Sequence, residues 1–572
     1  MNKIFKRIAV GGLALSIVAT GTFILENHNS TVSAATKESS KNLIVLIGDG
    51  MGPAQVAATR YYQEHETGKM ALNLDPYYVG QATTYADRGD DGGVIVSGIV
   101  TDSASAGTAF ATGNKTYNAA ISVSNEEVSK PFASVIEAAE LSGKATGLVT
   151  TARITHATPA VYATHVRSRD NESAIASQYL ASGVDVLLGG GQSFFVTKDE
   201  NGKRTDKNII PDFQAKGYKL VQKAADLKAL SSENSKVLGL FGGSHVSYVP
   251  DRTEDTPSLE AMTTKALEIL STNKNGFAVM IEGGRIDHAG HANDLPTMIQ
   301  ETLDFDAAFK VAIDFAKKDG NTSVVVTADH ETGGLSLSRD NIYEVNIDLW
   351  DQQKNSSESL VKALEAAQSI AEIKKIVQGN TWITDLTDEE AQIIMDGDGS
   401  SYKREGGYNA VVSKRLLVGW SGHGHSAVDV GVWAYGPIAS QVKGQIDNTQ
   451  VALASASVIG VDLKKATAEL QSKYLYPKFK ISRENEVLYP AEALVKALGG
   501  TYSSTNGIAK MGFNKNNIDI NTKTNSIEMN GKKLSLTLDL DNGTIYLPLT
   551  AFNQLTGKSM KWDSLSERLV LK

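Results

Sequence analysis

Two hydrophobic periods alternate along the chain from Lys41 to about Tyr474. Short apolar runs rich in β-branched residues, at 43–47, 277–281, 324–326 and 430–435, are separated by stretches of helical period such as 131–142 and 295–318. Runs apolar at every position suit strands buried on both faces, and their alternation with helices predicts an α/β domain, 41–474, with a largely parallel central sheet flanked by helices. Residues 335–414 break the rhythm. Helical pattern at 356–371 and 388–395 is followed by the polar run 396–401, which predicts an insertion over the site rather than another strand. Beyond Pro477 the chain turns to short β-rich pieces. There, 488–500 and 545–557 share a frame of apolar run, proline, one amphipathic helix and glycine, a repeat that predicts a small α+β module over 478–572.

The first residues follow neither period. Lys3, Lys6 and Arg7 precede an uncharged run, 8–25, and then Val32-Ser33-Ala34-Ala35, small residues at the spacing of a signal-peptidase site. This predicts a signal peptide, 1–34, and a protein that is secreted or associated with the cell envelope. The alternative is a retained membrane anchor, which Gly11, Gly12, Ser16 and Gly21 weaken. The 572 residues include no cysteine, which excludes disulfides, thiolate-bound zinc and a thiol nucleophile. Net charge is −9. The tail, 478–572, has 13 Lys and Arg against 9 Asp and Glu, and the leader is net positive, so the body carries about −15. That balance argues against a nucleic-acid surface, and an anionic substrate would have to be captured by local metals and arginine.

The apolar runs end in metal-binding residues. Asp49 follows the first, Glu282 ends the second and leads to Asp287 and His291, and Asp329-His330 follows the third. His423 and His425 precede the fourth. In an open α/β sheet ligands collect beyond the carboxyl ends of the strands, so these groups converge on one crevice. Six of the ten histidines, His156, His288, His291, His330, His423 and His425, lie in such Gly- and Asp-rich segments. Imidazole with carboxylate suits zinc, whereas Glu282 and Thr158 offer oxygen alone, the preference of a harder ion such as magnesium. Asp287 and His291 fall on one face if a helical turn follows the 282–284 loop. Ser103 opens a small-residue helical segment. It could serve there only as a cap, or could meet an anion at the helix N-terminus as a nucleophile activated by metal.

Taken in order, Ile47-Gly-Asp49-Gly-Met-Gly, Thr101-Asp-Ser103-Ala, Thr155-His-Ala-Thr158-Pro-Ala through Arg169, Glu282-Gly-Gly-Arg-Ile-Asp287 with His291, Thr327-Ala-Asp329-His330-Glu-Thr-Gly-Gly334, and His425 before Ala434-Tyr-Gly-Pro437 resemble the alkaline phosphatases over residues 41–470. The resemblance implies a phosphate-monoester hydrolase that works through a phosphoserine at Ser103 and is inhibited by inorganic phosphate. It implies one zinc ion held by Asp49, Asp329 and His330, a second by Asp287, His291 and His425, and a magnesium ion by Asp49, Thr158 and Glu282. Arg169 would hold two phosphate oxygens, oriented by Asp102. His423 has no counterpart and receives no ligand role. His156 and His288 stand where the best-known bacterial form has Asp and Lys, and would adjoin the third metal. A homodimer is a further family expectation.

Asp102-Ser103-Ala104, Arg169 and the third site favour a monoesterase over the diesterases and sulfatases of the superfamily, and the lack of cysteine removes the usual sulfatase formylglycine. Retention of every ligand argues against a binding protein that keeps only the scaffold. The tail resembles the copper amine oxidase N-terminal-like, or stalk, domain. It has neither His nor Cys, hence no copper site, and its expected role is attachment to the envelope.

Overall fold

The computed structural model describes residues 39–572 apart from 92–93 and 482–485, so the leader lies outside the described residues. Ten strands build the central sheet: β1 (Asn42–Gly48), β2 (Tyr78–Thr83), β3 (Ala145–Arg153), β4 (Val186–Gly190), β5 (Lys219–Val221), β6 (Val237–Leu240), β7 (Phe277–Gly283), β8 (Thr322–Thr327), β9 (Val430–Tyr435) and β10 (Gly444–Asp447). Their spatial order is β10-β2-β9-β8-β1-β7-β3-β4-β6-β5. Only β9 runs against the others, as the antiparallel pairings on both its sides show. The largely parallel α/β reading of the sequence is the architecture observed. β1, β7 and β8 are buried along their whole length, which is why they read as continuous apolar runs.

Register decides where the chemistry lands. Ile47 is level with Glu282 on one side and Thr327 on the other, and Glu282 is level with Thr150 of β3. The carboxyl ends of four strands therefore open onto one edge, with Asp49 and Asp329 just beyond it. Because β9 is antiparallel, its amino end meets that same edge, Val432 lying level with Thr327. This is why the contribution of this segment, His425, precedes its strand while the others follow theirs.

The longest helix, Leu295–Asp319, matches the predicted stretch. Asp294 caps it, and it buries a stripe that includes Met298, Thr302, Phe305, Phe309, Ala312 and Ala316. The stretch 131–142 gives a shorter helix, Val135–Leu141. Ser134 and Glu137 close a capping box that fixes its start, and Pro131 instead bridges to Val123. Residues 335–414 form a short strand, Leu335–Ser336, and the helices Val361–Ala366, Ile370–Asn380, Asp388–Asp396 and Lys403–Leu416.

In the tail, the two repeats form equivalent strand–proline–helix units. Val487–Pro490 pairs antiparallel with Thr544–Pro548, and Pro490 and Pro548 each start a helix. A five-stranded antiparallel sheet spans 501–534. Tyr474–Pro477 pairs with Val128–Ser129 of the body on one edge and with the last strand, Arg568–Val570, on the other. No helix among the described residues is long and apolar enough to cross a membrane.

Candidate active site

Ser103 is the first residue of the helix Ser103–Thr112, but it is not the cap. Asp102 fills that position and accepts from the Ser105 amide at 3.0 Å, which frees the Ser103 hydroxyl for other work. Ser103 Oγ lies 3.2 Å from His330 Nε2 and is almost fully buried. Around it, Asp49, Asp329 and His330 form one cluster, and Asp287, His330 and His425 a second. Asp49, His156 and Glu282 form a third, each tight enough to surround one ion. His291 joins the second cluster, its Nε2 lying 3.3 Å from Asp287 Oδ1 and 3.1 Å from His425 Nε2. The helical turn foreseen for Asp287 and His291 is the helix Arg285–Ala292.

The three inner imidazoles are oriented alike. His425 Nδ1 donates to the Thr101 carbonyl at 2.8 Å, and His291 Nδ1 donates to the His423 carbonyl. Thr332 Oγ1 gives its single proton to Asp287 Oδ1, so at 3.2 Å it can only accept from His330 Nδ1. Each ring therefore carries its proton on Nδ1, and each Nε2 lone pair faces the crevice, the tautomer that metal-ligating histidines adopt when their other nitrogen is tied down.

The carboxylates are fitted for cations too. Asp49, Glu282 and Asp329 are fully buried, yet Asp49 Oδ1, Glu282 Oε1 and Asp329 Oδ2 have no hydrogen-bond partner among the described residues. Burial, reinforced by the charges of Asp329, Asp287 and Glu282, pushes Asp49 well above the usual carboxylate range, and burial brings Glu282 to about 7. Such crowding is costly for oxygen anions alone and is relieved by a cation among them. Asp287 goes the other way: burial opposes its ionisation, but His291 beside it when protonated, with His425 and His330, holds it well below the usual range, and a cation among the Nε2 atoms would supply the same positive charge with the rings neutral.

Thr158 Oγ1 is 3.5 Å from Asp49 Oδ2, at the edge of the third cluster. Arg169 pairs with Asp102 Oδ2 at 3.1 Å and donates to His156 Nε2 at 2.9 Å. His156 therefore carries its proton on Nδ1 and spends its Nε2 lone pair on Arg169, so although it stands in the third cluster it has no free lone pair for an ion there. His288 is half-buried, its ring 5.4 Å from that of His156. Burial, and then nearby positive charge, depresses both histidines well below the usual range and keeps them neutral.

All thirteen residues singled out from sequence thus gather at one edge of the sheet. Sequence reasoning missed Thr150, which bonds Glu282, and Thr332, which links Asp287 to His330. It also missed His245, whose ring is 4.2 Å from that of His288. Thr332 stood inside a recognised motif, whereas His245 lies in a Gly-Ser loop that carries no pattern.

A parallel α/β sheet with clustered carboxylates and imidazoles around a serine defines a metal-dependent hydrolase. The alkaline phosphatase family pattern matches residues 40–460, and the copper amine oxidase N-terminal domain pattern matches 471–571. Alkaline phosphatase 3 of Bacillus subtilis is 38% identical over 461 residues, spanning 79% of this chain and 96% of that protein. The crystal structure of the cold-active alkaline phosphatase of Shewanella sp. superposes with a TM-score of 0.64 at 36% identity, over 73% of this chain and 99% of its own. A histidine-to-glutamate variant of TAB5 alkaline phosphatase with Mg bound in the M3 site superposes with a TM-score of 0.54 at 28% identity, over 74% and 99%. The chain belongs to the alkaline phosphatase family and carries a copper amine oxidase N-terminal domain behind the catalytic body. It is a phosphate-monoester hydrolase.

Proposed function

We propose that this enzyme hydrolyses phosphate monoesters through a phosphoserine at Ser103, with two zinc ions and one magnesium ion, outside the cell. The observation that carries the reading is the shared orientation of His291, His330 and His425, whose Nε2 atoms face Asp287, Asp329 and Ser103. Asp49, Asp329 and His330 would hold one zinc, and Asp287, His291 and His425 the other. Asp49, Thr158 and Glu282 would hold magnesium, their all-oxygen donor set being the hard-ion choice. Bound there, the metals supply positive charge to the phosphoryl oxygens and make the serine hydroxyl and the hydrolytic water more acidic.

The chain's own groups do the rest. Ser103 Oγ bonds phosphorus as the ester oxygen departs, and the phosphoserine forms at a helix N-terminus, where the dipole favours its charge. Arg169 clamps two phosphoryl oxygens with its planar fork, held in register by Asp102 and His156. Water then attacks phosphorus opposite Ser103 Oγ and releases phosphate and free serine, so two in-line displacements retain configuration. Both steps need positioning and spread positive charge, which this site concentrates.

The leader would direct export, and the C-terminal domain would attach the enzyme to the envelope. Ser103→Ala is expected to abolish the phosphoenzyme while zinc and magnesium stay bound. Label that still accumulates on this variant from a phosphoryl donor would assign the nucleophile elsewhere. Initial rates on a monoester, a diester and a sulfate ester check the substrate class, the first expected to dominate.

A further inference from the structure

His291 is the most loosely packed of the three inner imidazoles. Its side chain is 24% exposed, against 12% for His425 and none for His330. Core packing fixes His330, so something else must fix His291. The structure provides a reciprocal clamp: His291 Nδ1 donates to the His423 carbonyl, and His423 Nδ1 donates to the His291 carbonyl at 2.6 Å. The far nitrogen of the clamping ring, His423 Nε2, meets Asp398 Oδ2 at 2.6 Å, and Tyr402 stacks on its face at 5.0 Å with 20° between the planes.

Asp398 and Tyr402 come from the 335–414 insertion, in the turn between helices Asp388–Asp396 and Lys403–Leu416. That turn is built to present the carboxylate. Asp398 Oδ1 accepts from the Ser400 amide at 2.9 Å and its hydroxyl at 2.7 Å, which aims Oδ2 at His423. Gly406 leaves the room, since a β-carbon there would stand 2.0 Å from Asp398 Oδ2.

We propose that His423, held by Asp398 and Tyr402 of the insertion, is a positioning residue that fixes the His291 imidazole for the metal it shares with Asp287 and His425. The proposal rests on His291 being a zinc ligand. It gives the insertion a function, because a segment remote in sequence sets the rigidity of one metal site. Outer partners of this kind typically change metal affinity 10–100-fold when removed.

The test uses the full-length zinc-loaded enzyme and reads, by competition with a chromophoric chelator, the free zinc at which the more weakly held zinc is lost. His423→Ala and Asp398→Asn are expected to raise that concentration roughly 10–100-fold. His423→Asn keeps a donor where Nδ1 stands and is expected to recover most of the loss. Because Asp398 acts through His423, Asp398→Asn added to His423→Ala is expected to cost nothing more. Asp287→Asn is the control on the underlying reading: if it holds both zincs like wild type, the ligand assignment is wrong. If Asp287→Asn loses zinc while His423→Ala and Asp398→Asn, both folded by circular dichroism, retain it as wild type does, the clamp has no positioning role. Additive losses in the double variant would equally overturn it.

Discussion

Arg169→Ala isolates phosphate binding from bond-making. The guanidinium has five N–H donors, of which Asp102 takes one at 3.1 Å and His156 another at 2.9 Å, so its plane is fixed before substrate arrives. Removing it leaves the helix start intact, because Asp102 still accepts from the amides of Ser105 and Ala119, each at 3.0 Å. A hydrogen bond to a charged group is worth about 1.5–3 kcal/mol. Two bonds to phosphate, partly replaced by water in the variant, give an expected loss of about 3 kcal/mol, or roughly a hundredfold in affinity. The inhibition constant of inorganic phosphate and the KM of a simple monoester are expected to rise together by that factor. Arg169→Lys, which restores charge without the fork, is expected to fall between. Unchanged phosphate inhibition in Arg169→Ala, with zinc still bound, would refute the assignment.

Three further outcomes follow from other parts of the molecule. His156→Asp adds a carboxylate beside Asp49 and Glu282, whose mutual repulsion a cation relieves. The magnesium needed to restore activity to dialysed enzyme is expected to fall, and identical magnesium dependence of wild type and variant would dismiss the role of His156. Burial pushes Glu140 up to about 7 against an opposing hydrogen bond from Thr146. A carboxyl raised in the folded state binds its proton more tightly there, so its contribution is intact below the unfolded value and lost as pH rises through about 7. Glu140→Gln is therefore expected to raise Tm at pH 8–9 and to change it little at pH 4, as thermal melts would show. Ending the chain after Tyr476 removes the strand partner Arg568–Val570 but no residue of the site, so zinc content and turnover are expected to persist while Tm falls. Loss of zinc from a folded truncated protein would contradict this.

The alternation of apolar runs with helical periods was enough to predict the α/β body, because strands buried on both faces have to be apolar throughout. The residues that end those runs were legible as candidate ligands for a related reason: carboxylates and imidazoles just past a buried strand have few uses other than binding. The tail's repeat was likewise visible, since strand, proline and helix each leave a local signature.

Sequence alone did not show that β9 runs against its neighbours, although that reversal brings His425 to the shared edge from the amino side of its strand. Nor could it show that Asp102, not Ser103, caps the helix, or that Thr332 and Thr101 fix the proton positions of His330 and His425. It gave no reason to join Asp398 to His423, which lie on opposite sides of a 14-residue helix. Periodicity and strand-end chemistry are local, written within a few residues, and so determine elements and candidate ligands. Which nitrogen faces the crevice, and which outer group holds it there, depends on contacts between segments far apart in the chain, and only their packing decides it.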